Sequence, residues 1–256
     1  MNKHSTDVVI IGAGPVGLFA VFECGMVKLS CHVVDALDQV GGQCTALYPE
    51  KPIFDIPGHP RIDAADLVEK LKEQAAPFKP VYHLNQQVEG LERHGDAWRV
   101  TTSIGTVIEA KAVIIAAGVG AFGPNRPPMQ GLEAYEGKSV FYYVTRREDF
   151  RGKRVVIAGG GDSAVDWTLS LSEVAAKVMV VHRRPKFRCA PESEAKLKQL
   201  ADSGKIELVI PYQLARLEGE GGTLSSVIVA TLDGKEKALE ADVLLPFFGL
   251  AMNLGP

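Results

Sequence analysis

The chain of 256 residues is long enough for two ordinary domains, each able to bury a core of its own. Hydrophobic residues at 46% and charged residues at 23% are the balance of a soluble globular protein, and a net charge of −3 offers no basic field for nucleic acid. Asp7 interrupts any early apolar run and no stretch approaches the ~20 residues of a membrane span, so no signal peptide and no membrane association are expected, and a cytoplasmic location is.

In chain order, residues 8–11 (Val-Val-Ile-Ile) predict a strand of a parallel sheet covered on both faces. It runs into Gly12-Ala13-Gly14-Pro15-Val16-Gly17 and then a helical pattern with Val16, Leu18, Phe19 and Phe22 as its apolar positions. Residues 31–34 predict a second strand that ends at Asp35. Residues 62–78 read as an amphipathic helix with Leu67, Val68 and Leu71 on one side. Short strands at 88–91, 98–101 and 106–108 predict a β-meander, followed by the apolar run 112–117. Residues 118–128, rich in Gly and Pro, are the linker candidate, with a second crossing near 244–249. Between the crossings the first pattern repeats. A strand at 155–158 enters Gly159-Gly160-Gly161-Asp162-Ser163-Ala164, a helix carries Ala164, Val165, Trp167, Leu169 and Leu171, and a strand at 178–181 ends at His182. The expectation is an α/β chain of two Rossmann-like domains, each with three ββα layers, the second inserted in the first. The boundaries are placed at 1–117, returning at 245–256, and at 118–244.

A Gly-rich turn between a strand and a helix has a physical use. The first Gly permits the tight turn, the second admits a pyrophosphate to the backbone, and the third small residue lets the helix pack on the sheet. Phosphates then meet free N–H groups and the positive end of the helix dipole. Gly12, Gly14, Pro15 and Gly17 form one such turn, and Gly159, Gly161, Asp162, Ser163 and Ala164 the other. The residue ending the next strand separates the two, at equal spacing: 35 − 12 and 182 − 159 are both 23. Asp35 can accept hydrogen bonds from the ribose hydroxyls of an unphosphorylated adenosine. At the second site the acid is replaced by His182-Arg183-Arg184, with Arg188 one turn on, and guanidinium groups grip a 2′-phosphate that a carboxylate repels. That predicts NADPH over NADH. The alternative for Arg183 and Arg184 is a solvated charge run; His182 alone is compatible with either role.

The cysteines, Cys24, Cys31, Cys44 and Cys189, are widely spaced, and no pair forms a Cys-x-x-Cys. Reduced thiols are expected, with no metal site.

The two Gly-rich turns, Gly41-Gly42-Gln43, Ala116-Ala117-Gly118 and residues 182–188 together resemble the thioredoxin-reductase-like class of two-domain flavoproteins. Residues 41–51 and 161–167 are similar to those of the bacterial ferredoxin–NADP reductases within it. The resemblance implies FAD in the first domain and NADPH in the second. It implies that Asp35 binds the FAD ribose, Gln43 the flavin side, and that Tyr48 stacks on the isoalloxazine ring. Val88 would meet the adenine through its backbone and Phe122 would pack near the cofactor. No catalytic side chain is implied, because the flavin mediates the transfer. Thioredoxin reductases carry a Cys-x-x-Cys where this chain reads Phe141-Tyr142-Tyr143-Val144-Thr145, so electrons must leave the flavin directly. The implied partner is ferredoxin or a similar acidic iron–sulfur protein, and the implied assembly a homodimer. Arg146, Arg147, Arg151, Lys153 and Arg154 are docking candidates, although Glu148 and Asp149 interrupt them and favour a mixed-charge face. The alternatives are a low-molecular-weight disulfide reductase or diaphorase, and a non-catalytic nucleotide-binding module. Members of the class continue past the position of Pro256, so a C-terminally truncated chain is expected.

Overall fold

Residues 8–11 are the C-terminal part of a longer strand, β1 (Lys3–Ile11), in the computed structural model, which describes residues 2–253 and 255–256. Val8, Val9 and Ile10 are almost wholly buried, as a β-branched run between two covering layers must be. The polar start of β1 extends the strand because it pairs with the strand that closes the meander.

The first parallel group comprises β1, helix α1 (Pro15–Met26), β2 (Cys31–Val34), a short helix α2 (Gln43–Ala46), helix α3 (Ala64–Ala75) and β3 (Val81–His83). The meander follows as β4 (Val88–His94), β5 (Ala97–Thr102) and β6 (Val107–Ile115). The sheet has six strands in the order β3-β2-β1-β6-β5-β4. One long β6 replaces the two separate strands expected at 106–108 and 112–117. Its first half pairs with both β5 and β1, and its second half continues along β1. The layers follow from two apolar clusters. Val8, Ile10, Cys31 and Val33 meet Val21, Cys24 and Ala75 on the helix side, while Val9 and Val34 meet Val88, Val100 and Ile108 on the meander side.

Two local expectations are corrected. Helix α1 is buried through Leu18, Val21 and Cys24, not through Val16 and Phe19, which are exposed. The helix expected from 62 begins at Ala64, because Ile62–Asp63 pairs antiparallel with Pro52–Ile53 and leaves Asp63 extended at the N-cap position.

The second parallel group repeats the plan. It comprises β7 (Arg154–Ala158), α4 (Asp162–Leu171), β8 (Lys177–Val181), α5 (Pro191–Asp202) and β9 (Ile206–Val209). A meander follows as β10 (Gln213–Glu220), β11 (Thr223–Ala230) and β12 (Glu236–Glu240), and then β13 (Val243–Pro246). The parallel sheet is ordered β9-β8-β7-β13, and the meander is a sheet of its own. Val156, Ala158, Met179 and Val181 pack against Leu224, Val227, Val229 and Leu239 of the meander. The protein is an α/β chain in which two ββα units are built alike.

Two compact units result: Met1–Gly123 with Ala251–Pro256, and Pro124–Leu250. Both crossings lie slightly later in the chain than the sequence places them. The stretch read as linker forms a strand, Ala121–Pro124, that pairs with Leu250–Asn253. Among the described residues no helix is long and apolar enough to cross a membrane.

Candidate functional site

Both Gly-rich turns leave the C-terminal end of a strand flanked on each side by a parallel neighbour, the position at which α/β sheets open a crevice. Their backbone hydrogen bonds correspond one for one. Gly12 N–H donates to Val34 O at 2.8 Å and Gly159 N–H to Val181 O at 3.1 Å. Asp35 N–H donates to His83 O at 3.0 Å and His182 N–H to Val209 O at 3.2 Å. Ala116 N–H donates to Ile11 O, and Phe247 N–H to Ala158 O, both at 2.8 Å. Asp35 and His182 are therefore equivalent positions of two copies of one scaffold.

In the first copy three loops converge. A Cβ on Gly12, whose φ is +107°, would collide with the Ala116 carbonyl, and one on Gly17 with the Gly12 carbonyl. Gly42, at φ +57°, lies so close to the turn that a Cβ there would stand 3.1 Å from Gly14 Cα. Gly41 N–H also donates to Ala13 O at 2.8 Å. Gly14 itself has open space before it: a Cβ there would meet nothing nearer than Gly42 Cα at 3.9 Å. Pro15 fills the first position of α1, where no backbone donor is needed. Asp35 holds the turn from beneath, accepting from Ala13 N–H at 2.6 Å and Leu37 N–H at 2.8 Å. A carboxylate has about four acceptor sites, so two remain for ribose hydroxyls.

Around this core the expected residues divide. Gln43 opens α2 with its amide facing Gly118, 3.7 Å from where a Cβ would stand. Tyr48 is half-buried and packs on the cluster of Leu18, Cys44 and Val68, with Lys51 Nζ 5.8 Å from its ring centroid. Burial raises its hydroxyl above the usual tyrosine range. Val88 is buried beside Val9 and Val34, the strand residues leading to the turn and to Asp35. Phe122 lies half-buried in the Ala121–Pro124 strand, outside the contacts that join the three loops. Sequence reasoning missed the Ala116 and Phe247 carbonyls that the first glycines approach. Their signal is the apolar pair, Ala116-Ala117 or Phe247-Phe248, just after the third parallel strand of each copy.

The second copy keeps the scaffold and changes the chemistry. Gly159, at φ +155°, brings the turn against Phe247 O, 2.8 Å from where a Cβ would lie. Ala164 is buried at the third motif position, and Gly161 caps α4. Asp162 and Ser163 are exposed in the first turn, Asp162 Oδ1 accepting from Ala190 N–H at 2.9 Å. Where Ala13 stands in the first copy the second has Gly160, because the His182 ring occupies the space a Cβ would need. That ring stacks on Phe187 at 5.1 Å and reaches the Lys186 carbonyl at 3.3 Å. Burial, reinforced by Arg188, Arg183 and Arg184, holds its imidazole below the ordinary value. His182 is thus a neutral packing residue. Arg188 is tied to the turn by its backbone, its N–H donating to Gly160 O at 2.6 Å.

Most of the arginines are paired with carboxylates, and Arg93, which among the described residues is not, lies over the Trp98 ring. Arg126, Arg151, Arg154 and Arg216 each bind a carboxylate at 2.5–2.8 Å. Arg183, Arg184 and Arg188 are exposed and, among the described residues, have no ion-pair partner. The arginines of the 146–154 segment are met by acids within and outside it: Arg147 pairs with Glu173 at 3.0 Å, Arg151 with Glu148 at 2.6 Å and Arg154 with Asp242 at 2.7 Å. It is a mixed-charge face. All four cysteines are free. Burial raises Cys44 and Cys189 and pushes Cys31 up to about 12, so these are thiols, not thiolates, at neutral pH.

Comparison with known proteins agrees with this reading of the scaffold. The family model described as pyridine nucleotide-disulphide oxidoreductase matches residues 9–254. A ferredoxin–NADP reductase of Paramagnetospirillum magneticum is 72% identical over 100% of this chain and 76% of its own length. One of Rhodospirillum rubrum is 69% identical over 98% of this chain and 74% of its own. Among solved structures, thioredoxin reductase of Lactococcus lactis superposes with a TM-score of 0.81 at 25% identity, covering 96% of this chain and 78% of that one. The chain belongs to the pyridine nucleotide-disulphide oxidoreductase family, among the ferredoxin–NADP reductases of thioredoxin-reductase-like fold.

Proposed function

We propose that the protein is an FAD-dependent oxidoreductase that moves electrons between NADPH and ferredoxin or a similar acidic iron–sulfur protein. The unit of residues 1–123 with 251–256 holds FAD, and the unit of 124–250 holds NADPH. Bound FAD would supply the chemistry, accepting a hydride and releasing electrons singly. The chain's own residues bind and orient. Gly12, Gly14, Pro15 and Gly17 give the pyrophosphate of FAD a bare backbone at the start of α1, Asp35 takes the ribose hydroxyls, and Gln43 and Tyr48 border the flavin. Val88 presents its backbone to the adenine, and Phe122 lies by the cofactor. Gly159, Gly161, Asp162, Ser163 and Ala164 form the corresponding turn for NADPH. We place the enzyme in the cytoplasm as a homodimer; free cysteines accord with a reducing compartment.

The observation that carries the reading is the arginine trio, without carboxylate partners among the described residues, that follows His182, the position equivalent to Asp35. Three unpaired guanidinium groups in a chain of net charge −3 are a site for a phosphomonoester, here the 2′-phosphate. The absence of a paired dithiol near Phe141–Thr145 and the raised thiols disfavour dithiol exchange. The test is to drive the FAD-loaded protein with NADPH and compare reduction of a ferredoxin with that of small disulfides and quinones. Preferential ferredoxin reduction is expected. Faster turnover on disulfides, or a colourless protein that takes up no FAD, contradicts the reading.

A further inference from the structure

Three histidines far apart in sequence meet in the first unit. His4 lies near the start of β1, His32 on β2 and His83 at the end of β3. The start of β1 pairs with β6, and Ile108, opposite His4, packs with Val9 and Val34 on the meander side. The His4 ring consequently lies 5.3 Å from that of His32 and 4.8 Å from that of His83, with His32 and His83 5.0 Å apart. His32 Nδ1 and His83 Nε2 are 2.9 Å apart, and the candidate donor atoms of all three residues lie within 4.8 Å of one another.

We propose that His4, His32 and His83 form a tri-imidazole site for a zinc-like divalent cation. Tetrahedral Zn²⁺ with Zn–N bonds of about 2.0–2.1 Å needs nitrogens about 3.3 Å apart. The His32–His83 pair must open by a few tenths of an ångström and His4 must close in. The His4 side chain has the freedom to do so, being partly exposed and, among the described residues, without a side-chain hydrogen bond. Nitrogen-only donors suit zinc, copper or nickel and disfavour calcium or magnesium. A hydrogen-bonded core pair explains His32 and His83 but leaves the third ring, aimed at both, without a role. Because His83 O accepts the Asp35 N–H, an ion here fastens three strands directly beneath the first Gly-rich turn.

The test uses the full, untagged chain stripped with EDTA and titrated with Zn²⁺ against a chromophoric chelator. One Zn²⁺ per chain is expected, with a nitrogen-only first shell by X-ray absorption and a Zn²⁺-dependent rise in melting temperature. His4→Ala should weaken binding by at least about 100-fold, since even outer-shell partners of a metal are worth about 10–100-fold. It should abolish the melting shift while leaving the metal-free melt unchanged. His83→Gln should lose the ion too; should it fail to fold, His4→Ala decides alone. Cys189→Ser should bind as the parent does. No stoichiometric uptake, sulfur in the first shell, or undiminished binding by His4→Ala overturns the proposal.

Discussion

Asp35 and His182 occupy the same place in two copies of one scaffold, and the residues around them differ by chemistry alone. The carboxylate of Asp35 is spent in part on the backbone, holding Ala13 and Leu37 N–H groups. Asp35→Asn leaves an amide that can accept only one side of that arrangement. It should destabilise the protein by about 1–3 kcal/mol and weaken FAD uptake, measured by thermal melting and flavin titration. At the second copy the load falls on arginine. Charge-assisted hydrogen bonds contribute about 1.5–3 kcal/mol each, so Arg183→Ala or Arg188→Ala should raise KM for NADPH roughly 10–100-fold and leave NADH kinetics unchanged. An equal loss with both nucleotides would remove the 2′-phosphate from the account. The substitution of acid by Arg183 and Arg184 was legible because it falls at a fixed register. The part played by His182 was not, since a histidine's meaning depends on whether its ring finds a neighbouring cavity. Here it does, and its lowered proton affinity has a sign. Below about pH 6.5 the unfolded chain binds a proton at His182 that the folded chain resists, so stability falls as pH drops through that range. His182→Gln should flatten the acid side of the melting-temperature profile.

At the scale of elements, the contact between the His182 ring and Gly160 ties the end of β8 to the turn itself. Gly160→Ala forces a methyl into that ring and should cost about 1–3 kcal/mol, the range of overpacked sites. A smaller side chain at 182 should restore part of the loss in a double-variant melt, and strict additivity would show that the two do not compete for one space. Strand, Gly-rich turn and helix were readable at both copies because β-branched runs and glycines make a local pattern. The buried stripe of α1 was legible only in part: Leu18 is buried as expected, but Val16 and Phe19 are as apolar as Val21, and only the sheet's position decides which of them face inward. The same limit hid the split between Ile62–Asp63 and Ala64–Ala75, where a partner strand elsewhere in the chain overrides helical periodicity. His4, His32 and His83 had no legible spacing at all, because they stand on three different strands that only the tertiary fold brings together.

The whole molecule is two closed units of one plan, and the inserted one begins and ends at neighbouring points. Asn125 N–H donates to Gly249 O at 3.0 Å and its side-chain amide to Phe248 O at 3.2 Å. With adjacent ends and a core of its own, the segment 124–250 expressed alone should unfold in one cooperative melt and bind NADP⁺ in preference to NAD⁺ by calorimetry. A chain that stays unfolded would show that its stability depends on the first unit. The assignment of the two units to two different nucleotides rests on Asp35 against Arg183, Arg184 and Arg188. It is tested most directly by an anaerobic absorbance titration of the FAD-loaded protein. The account predicts about one flavin retained per chain, bleached by about one equivalent of NADPH and not by the same amount of NADH. Failure to retain flavin, or equal bleaching by both nucleotides, would contradict it.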